Sequence, residues 1–171
     1  MEFHHIPVLL NETLQALECQ QGYIIVDATL GAGGHAAEIL RRITPGGLLI
    51  GIDRDPHALK AAGDRLGSYG ESLALIHDNY VNIKDIINGM GISSVDGVLM
   101  DLGVSSYQLD TKERGFSYKE DAPLDMRMDP GQPLSAYHVV NRYSHGDLTR
   151  IIREYGEERW AGRIADFIIR Y

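Results

Sequence analysis

Four acidic residues stand where an apolar run ends. They are Asp27 after Ile24-Ile-Val26, Asp53 after Leu48-Leu-Ile-Gly-Ile52, Asp78 after Ser72-Leu-Ala-Leu-Ile-His77, and Asp101 after Val95-Asp-Gly-Val-Leu-Met100. Between the first two lies Gly31-Ala-Gly-Gly34, followed by a helix-like stretch from His35 to Ile43. Glycines let the backbone turn sharply and come close to a ligand. The helix behind them would aim its N-terminal amides at whatever lies over the turn. Gly31-x-Gly33-x-x-Ala36 satisfies the loose dinucleotide fingerprint, and Asp53 follows at about the ~20-residue distance where an acid grips a ribose hydroxyl. One such match is unspecific, because a glycine-rich surface turn reads the same. A strand before, a helix after and an acid downstream together favour a nucleoside cofactor, without saying which. A single strand-end Asp is commonly a cap or turn former; four on one edge are harder to set aside.

The elements that must hold these residues follow from periodicity. Leu10, Leu14 and Leu17 fall on one face of a short amphipathic helix. Ile24-Ile-Val26 suits a central parallel strand covered on both faces. Leu48 to Asp53 is a second strand, Asp55-Pro56 opens a helix running to about Leu66, and Ser72 to Asp78 is a third strand. Ile83 to Met90 reads as a short helix and Val95 to Asp101 as a fourth strand. Strands alternating with helices call for an α/β, doubly wound parallel sheet, in which ligands bind beyond the carboxyl ends of the strands. From Leu102 to Pro133 the chain reads as loop. Helices return near residue 135, Ser144-x-x-Asp147 caps one that Gly156 ends, and another from about Glu157 puts Trp160, Ile164, Phe167, Ile168 and Tyr171 on one face. An aromatic stripe of this kind is more often core than ligand site.

Composition narrows the classes. A chain of 171 residues, 44% apolar and 23% charged, is an ordinary globular composition with room for one domain plus an appendage. It has no apolar run long enough to span a bilayer and no leader with a cleavage site, so a cytoplasmic protein is expected. A single cysteine, Cys19, excludes an internal disulfide and reads as a packing residue. The His4-His5 pair has no third ligand near it, so no metal is expected. A net charge of −8 argues against a broad grip on nucleic acid. Residues 1–100 carry 6 basic and 12 acidic side chains and residues 101–171 carry 10 and 12, so any RNA contact must be local and falls more easily in the second part.

Longer strings carry more information than the glycine turn. They are His5-Ile-Pro-Val-Leu-Leu10, Asp27-Ala-Thr-Leu-Gly-Ala-Gly-Gly-His35, Gly51-Ile-Asp-Arg-Asp-Pro56, Asp96-Gly-Val-Leu-Met-Asp-Leu-Gly-Val-Ser-Ser106, Gln108-Leu-Asp110, Arg114-Gly-Phe-Ser117, Pro123-Leu-Asp-Met-Arg-Met-Asp129 and Tyr155-Gly-Glu-Glu158. Over essentially its whole length the chain resembles the N-terminal half of the S-adenosylmethionine-dependent methyltransferases of the MraW (RsmH) type, which methylate the exocyclic N4 amine of a cytidine in small-subunit (16S) ribosomal RNA. The resemblance implies a class I, Rossmann-like methyltransferase fold, here incomplete. Residues 1–110 would form the cofactor-binding core, and 111–171 the start of an inserted helical substrate domain, since the family's members are about twice as long. It implies S-adenosylmethionine as cofactor, contacted by Gly33, Gly34, His35, Asp53, Tyr80, Asp101 and Gln108. It also implies small-subunit ribosomal RNA or the assembled small subunit as partner, with a homodimer as one further possibility.

Each assignment has a physical rationale. The turn lets backbone approach the methionine end, and Asp53 can accept from both ribose hydroxyls. Tyr80 can lie against adenine, Asp101 can hold the methionine ammonium, and Gln108 can donate and accept. Methyl transfer by in-line displacement needs position and charge but no covalent intermediate. Asp101 is the candidate catalytic group, as an acceptor for the cytosine amine. The base must leave any stack to reach the methyl, so opened or single-stranded RNA is the expected substrate. Arg114, Lys119 and Arg127 could meet phosphates, with solvated loop charges an equally good reading. Two other classes fit parts of the pattern: a nicotinamide-dependent oxidoreductase, which would not explain Asp101-Leu-Gly-Val-Ser-Ser106, and a non-catalytic cofactor-binding module.

Overall fold

The computed structural model describes residues 7–171. The His4-His5 pair and the beginning of the His5–Leu10 string lie outside the described residues. The chain separates into two compact units, Met1–Gly103 and Val104–Tyr171.

The first unit holds a four-stranded parallel sheet in the order β3-β2-β1-β4, with β1 Ile24–Asp27, β2 Leu48–Asp53, β3 Leu73–His77 and β4 Gly97–Leu99. Side chains alternate between the faces of a strand, and here the alternation sorts the core in two. Ile25 and Leu49 meet Leu30 and one cluster of helices: α1 (Leu10–Leu17), α2 (Gly34–Ile43, through Ile39, Leu40 and Ile43) and α3 (Pro56–Leu66, through Ala62 and Leu66). Val26, Ile50 and Ile52 meet α4 (Ile83–Gly89) on the opposite face, through Ile83, Ile86 and Ile87. Helices on both faces of a parallel sheet are the doubly wound α/β architecture that the strand and helix rhythm predicts. The alternation also explains Gly51, which faces the same side as Leu49 and where a Cβ would lie 2.7 Å from Leu30 Cδ1 and displace it.

Local chemistry sets the ends of these elements. Asp55 accepts the His57 N–H at 3.0 Å with Pro56 in the first turn, as the Asp-Pro signal predicts for α3. The fourth strand is shorter than Val95–Asp101. Asp96 accepts the Ile24 N–H at 2.7 Å through its carboxylate, which starts the pairing, and the Asp101 N–H turns aside to Thr29 Oγ1 at 2.7 Å, which ends it.

The second unit contains α5 (Ser106–Asp110), a 3-10 turn at Lys112–Arg114, α6 (Ala136–Arg142), α7 (His145–Glu154) and α8 (Ala161–Arg170). α5 lies in a stretch expected to be loop. Its signal was Ser105-x-x-Gln108, a capping box in which the Ser105 hydroxyl accepts the Gln108 N–H at 3.2 Å and Gln108 Oε1 accepts the Ser105 N–H at 3.0 Å. Ser144 caps α7 as expected, accepting the Asp147 N–H at 3.1 Å. The last helix begins at Ala161 rather than near Glu157, whose φ of 51° is incompatible with a helical start. Of the expected stripe, Trp160, Ile164, Phe167 and Tyr171 are exposed and Ile168 is half-buried, while α8 buries Ala161 and Ala165. No helix among the described residues is long and apolar enough to cross a membrane, and no group of three or more metal-ligating side chains occurs among them.

Candidate functional site

The carboxyl edge of the sheet gathers six of the seven expected site residues, all in the first unit. The turn between β1 and α2 is tied to β2 twice: Leu30 N–H donates to the Ile52 carbonyl at 3.1 Å, and Gly31 N–H donates to Asp53 Oδ2 at 2.8 Å. Asp53 Oδ1 accepts the Asp55 N–H, also at 2.8 Å. Asp53 is therefore oriented by two backbone donors. A carboxylate has about four acceptor sites, so lone pairs remain for ligand hydroxyls.

The glycines divide by cause. Gly33 sits at φ 76° as the residue before α2, and a Cβ there would lie 2.7 Å from Leu66 Cδ1. A Cβ on Gly34 would lie 2.6 Å from Pro7 Cγ. Packing therefore gives each of these glycines a cause of its own, beside the approach to a ligand expected there. At Gly31 a Cβ would point into open space, so this is where the turn lies open to a bound molecule. Gly47, before β2, is also fixed by packing: its Cβ would meet the backbone carbonyl oxygens of Ile43 at 2.5 Å and Tyr23 at 2.8 Å. His35 is buried, and its Nε2 donates to the Val8 carbonyl at 3.0 Å, so its ring fastens the segment before α1 and only its backbone faces the turn's chemistry.

The four strand-end acids have four different situations. Asp78 Oδ1 accepts the Asn79 N–H at 2.6 Å and the Asn82 amide at 2.8 Å, and the Asn82 bond first, then the Asn79 N–H, holds its pKa below the usual value. It is a turn former. Asp53 is the clamp just described. Asp101 is exposed, and its carboxylate has no hydrogen bond or ion pair among the described residues. Asp27 is 1% exposed. Burial is the main cause that pushes its pKa up to about 7; Asp53 and Asp101 add to this, against the Thr29 N–H that Oδ1 accepts at 3.2 Å. Asp27 is thereby poised to titrate near neutrality. Sequence reading placed it at the strand end without giving it a role; the signal was an acid closing a strand buried on both faces.

Tyr80 opens a 3-10 turn, Tyr80–Asn82, and is partly exposed. Gln108 belongs to the second unit, where it is buried and its amide oxygen serves the α5 cap.

The three loop cations proposed for phosphates are not equivalent. Arg114 is buried and donates to the carbonyls of Arg127 and Met128, both at 2.8 Å. Arg127 grips Asp125 through Nε at 2.9 Å and Nη2 at 2.6 Å and donates to the Gln132 carbonyl at 2.7 Å; the pair lowers the pKa of Asp125. Both arginines hold the loop together. Lys119 alone stays exposed.

The model of a family described as the MraW methylase family matches residues 2–171. Ribosomal RNA small subunit methyltransferase H of Symbiobacterium thermophilum is 56% identical over 170 residues, which are 99% of this chain and 54% of that protein. The protein of the same name from Halothermothrix orenii is 55% identical over 166 residues, 97% of this chain and 53% of that one. The chain thus spans about half the length of the curated relatives it matches. Among solved structures, a protein described as an rRNA-methylase from Clostridium thermocellum superposes with a TM-score of 0.50 at 23% identity, over 58% of this chain and 54% of that chain, which supports the fold.

Proposed function

The chain belongs to the MraW methylase family, and on that premise we propose that it forms the cofactor-binding part of an enzyme that methylates the exocyclic N4 amine of a cytidine in small-subunit ribosomal RNA. The family match sets aside the nicotinamide reading that the glycine turn left open. The observation that carries the proposal is the Asp53 clamp: a carboxylate held against the Gly31 N–H, beside a turn that is open at Gly31.

S-adenosylmethionine fits these residues, and when bound it supplies an electrophilic methyl group on a sulfonium. Asp53 would accept from the ribose hydroxyls, and the amides of Gly33, Gly34 and His35 would face the methionine end at the start of α2. Tyr80 offers a flat apolar face to adenine, and Gln108 would be a further contact to the cofactor. The unpartnered carboxylate of Asp101 would hold an ammonium or accept hydrogen bonding from a substrate amine. Residues 1–110 would constitute the cofactor core and 111–171 the beginning of the substrate-facing part. The partner is small-subunit RNA, free or assembled, and the compartment is the cytoplasm.

Asp101→Asn is the cleanest test, because that carboxylate holds no hydrogen bond or ion pair among the described residues. Calorimetry should show S-adenosylmethionine binding and no NAD binding. Asp101→Asn should weaken the cofactor about tenfold or more with the melting temperature unchanged. Equal affinity in both proteins would remove Asp101 from the site, and NAD binding in place of S-adenosylmethionine would overturn the reading itself.

A further inference from the structure

Gly34 is the first residue of α2 and lies outside the left-handed region, so its backbone conformation does not call for glycine. Inside a helix alanine is ordinarily the better residue. The cause is Pro7: a Cβ on Gly34 would lie 2.6 Å from Pro7 Cγ and 3.5 Å from its Cδ. Cα–Cβ bonds lean toward the N-terminus of a helix, so the place that the Pro7 ring fills is at the turn end of α2. The next residue engages the same segment, since the buried His35 ring donates through Nε2 to the Val8 carbonyl at 3.0 Å. Both contacts fall beside the amides that would face the methionine end of a cofactor. Leu9 then joins the segment to α1, holding φ 52° and ψ 35° while its carbonyl accepts the Thr13 N–H at 2.9 Å. That left-handed conformation is disfavoured for leucine, so neighbouring contacts must impose it. On one side they are the packing of Leu10, Leu14 and Leu17 of α1 into the core, and on the other the Pro7 seat and the His35 bond.

We propose that Pro7–Leu9 is a strap over the cofactor turn, latched by the His35 ring, and that it gates the passage of S-adenosylmethionine. The proposal rests on the turn being the cofactor site. It makes the His35 imidazole a positioning group that acts through Val8, while the backbone amide of the same residue faces the cofactor. Proline brings a fixed φ and no N–H, so the strap enters its seat already shaped and with no donor there that needs a partner. The reading also gives one cause to two separate strings, Pro7-Val-Leu9 and Gly33-Gly-His35, which the fold brings together. A strap that covers both the free and the occupied turn must open for the cofactor to enter and to leave. Loosening it raises both rates together and leaves their ratio nearly unchanged, whereas losing a side chain that touches the cofactor changes mainly dissociation.

Association of radiolabelled S-adenosylmethionine with the 171-residue protein, and its dissociation in a chase, are measured by rapid mixing. His35→Leu, which keeps the bulk and removes the donor, should raise both rates about fivefold to tenfold. His35→Gln, whose amide nitrogen can stand where Nε2 does, should return both toward the wild type. Gly34→Ala should speed both rates in the same way by unseating Pro7. Adding Pro7→Ala, which removes the ring atoms that the new methyl meets, should reverse that effect. In the ligand-free protein, hydrogen exchange at the Thr13 N–H should quicken in His35→Leu and Gly34→Ala, while the amides of β1 and β2 keep their protection and show that both variants are folded. Dissociation that quickens with association unmoved overturns the gate and makes the ring a direct contact. A Gly34→Ala defect that Pro7→Ala does not relieve also overturns it, because the glycine then serves the ligand. Wild-type binding with rates indifferent to His35→Leu and Gly34→Ala overturns the proposal and leaves the cofactor reading standing; absence of any S-adenosylmethionine binding by the wild type overturns both.

Discussion

Asp27 is the side chain whose environment most changes its chemistry. In the fold it stays protonated up to about pH 7 because burial disfavours its charge, whereas in an unfolded chain it ionises near 4. Between those values the folded state holds one more proton than the unfolded, so stability falls as pH rises from about 4 to 7 and levels off above, by at most about 4 kcal/mol. The slope is opposite to that of an ion-paired carboxylate. Denaturation of the wild type across this range should show it, and Asp27→Asn, which keeps the oxygen that accepts from Thr29, should flatten the profile and be the more stable protein at pH 8. A cation held by nearby Asp101 would favour ionised Asp27, so binding of S-adenosylmethionine near pH 6.5 should release protons, detectable as a buffer-dependent heat that vanishes in Asp27→Asn. Wild-type stability that does not change between pH 4 and 7 would mean that the carboxyl is not buried as described.

At the scale of elements, strand ends carry the site, and one hydroxyl connects two of them. Thr29, just past β1, donates its N–H to Asp27 and accepts the Asp101 N–H through Oγ1. Thr29→Val keeps the shape and removes the acceptor, leaving the Asp101 amide unpaired; a cost of about 1–2 kcal/mol is expected. Cofactor affinity should fall with it, because Asp101 loses its anchor, and Thr29→Ser should restore both. Loss of stability with unchanged affinity would show that Asp101 needs no positioning by β1. That junction could not be read from the sequence, because it depends on the register Asp27↔Leu99 across two strands 72 residues apart. What could be read were features with a local cause. Asp55-Pro56 gave the start of α3, the apolar runs gave the strands, and the alternation gave a parallel sheet. The Asp53 position followed from its spacing to the glycine turn. Gly33, Gly34 and Gly47 are also constrained by contacts with Leu66, Pro7 and the Ile43 and Tyr23 carbonyls, mostly distant in the chain and so not readable from the sequence. Arg114 and Arg127 look alike to a charge count and are separated only by knowing which carbonyls and carboxylate they reach. The capping box at Ser105 and Gln108 was local and readable, yet hidden in a stretch dominated by loop-forming residues.

At the scale of the whole molecule, β4 is an edge of the sheet whose main protection is its shortness, three residues. It has no proline and no lysine, and of its neighbouring acids Asp96 turns inward to the Ile24 amide while Asp101 follows Met100. Val98 is 42% exposed and Met100 46%, so apolar side chains flank backbone groups with no strand beside them. Opposing this is the net charge of −8, which makes two copies repel at a distance. Salt screens that repulsion and leaves the apolar contact and strand pairing intact. Self-association should therefore grow with ionic strength, the reverse of what a contact made by ion pairs would do. Sedimentation velocity at low and high salt measures it. Val98→Lys and Met100→Lys, each adding a cation where an edge strand would pair, should return the protein to monomer at high salt. A protein that stays monomeric at every salt concentration would show the edge to be protected, and association that ignores both lysines would locate the contact away from β4.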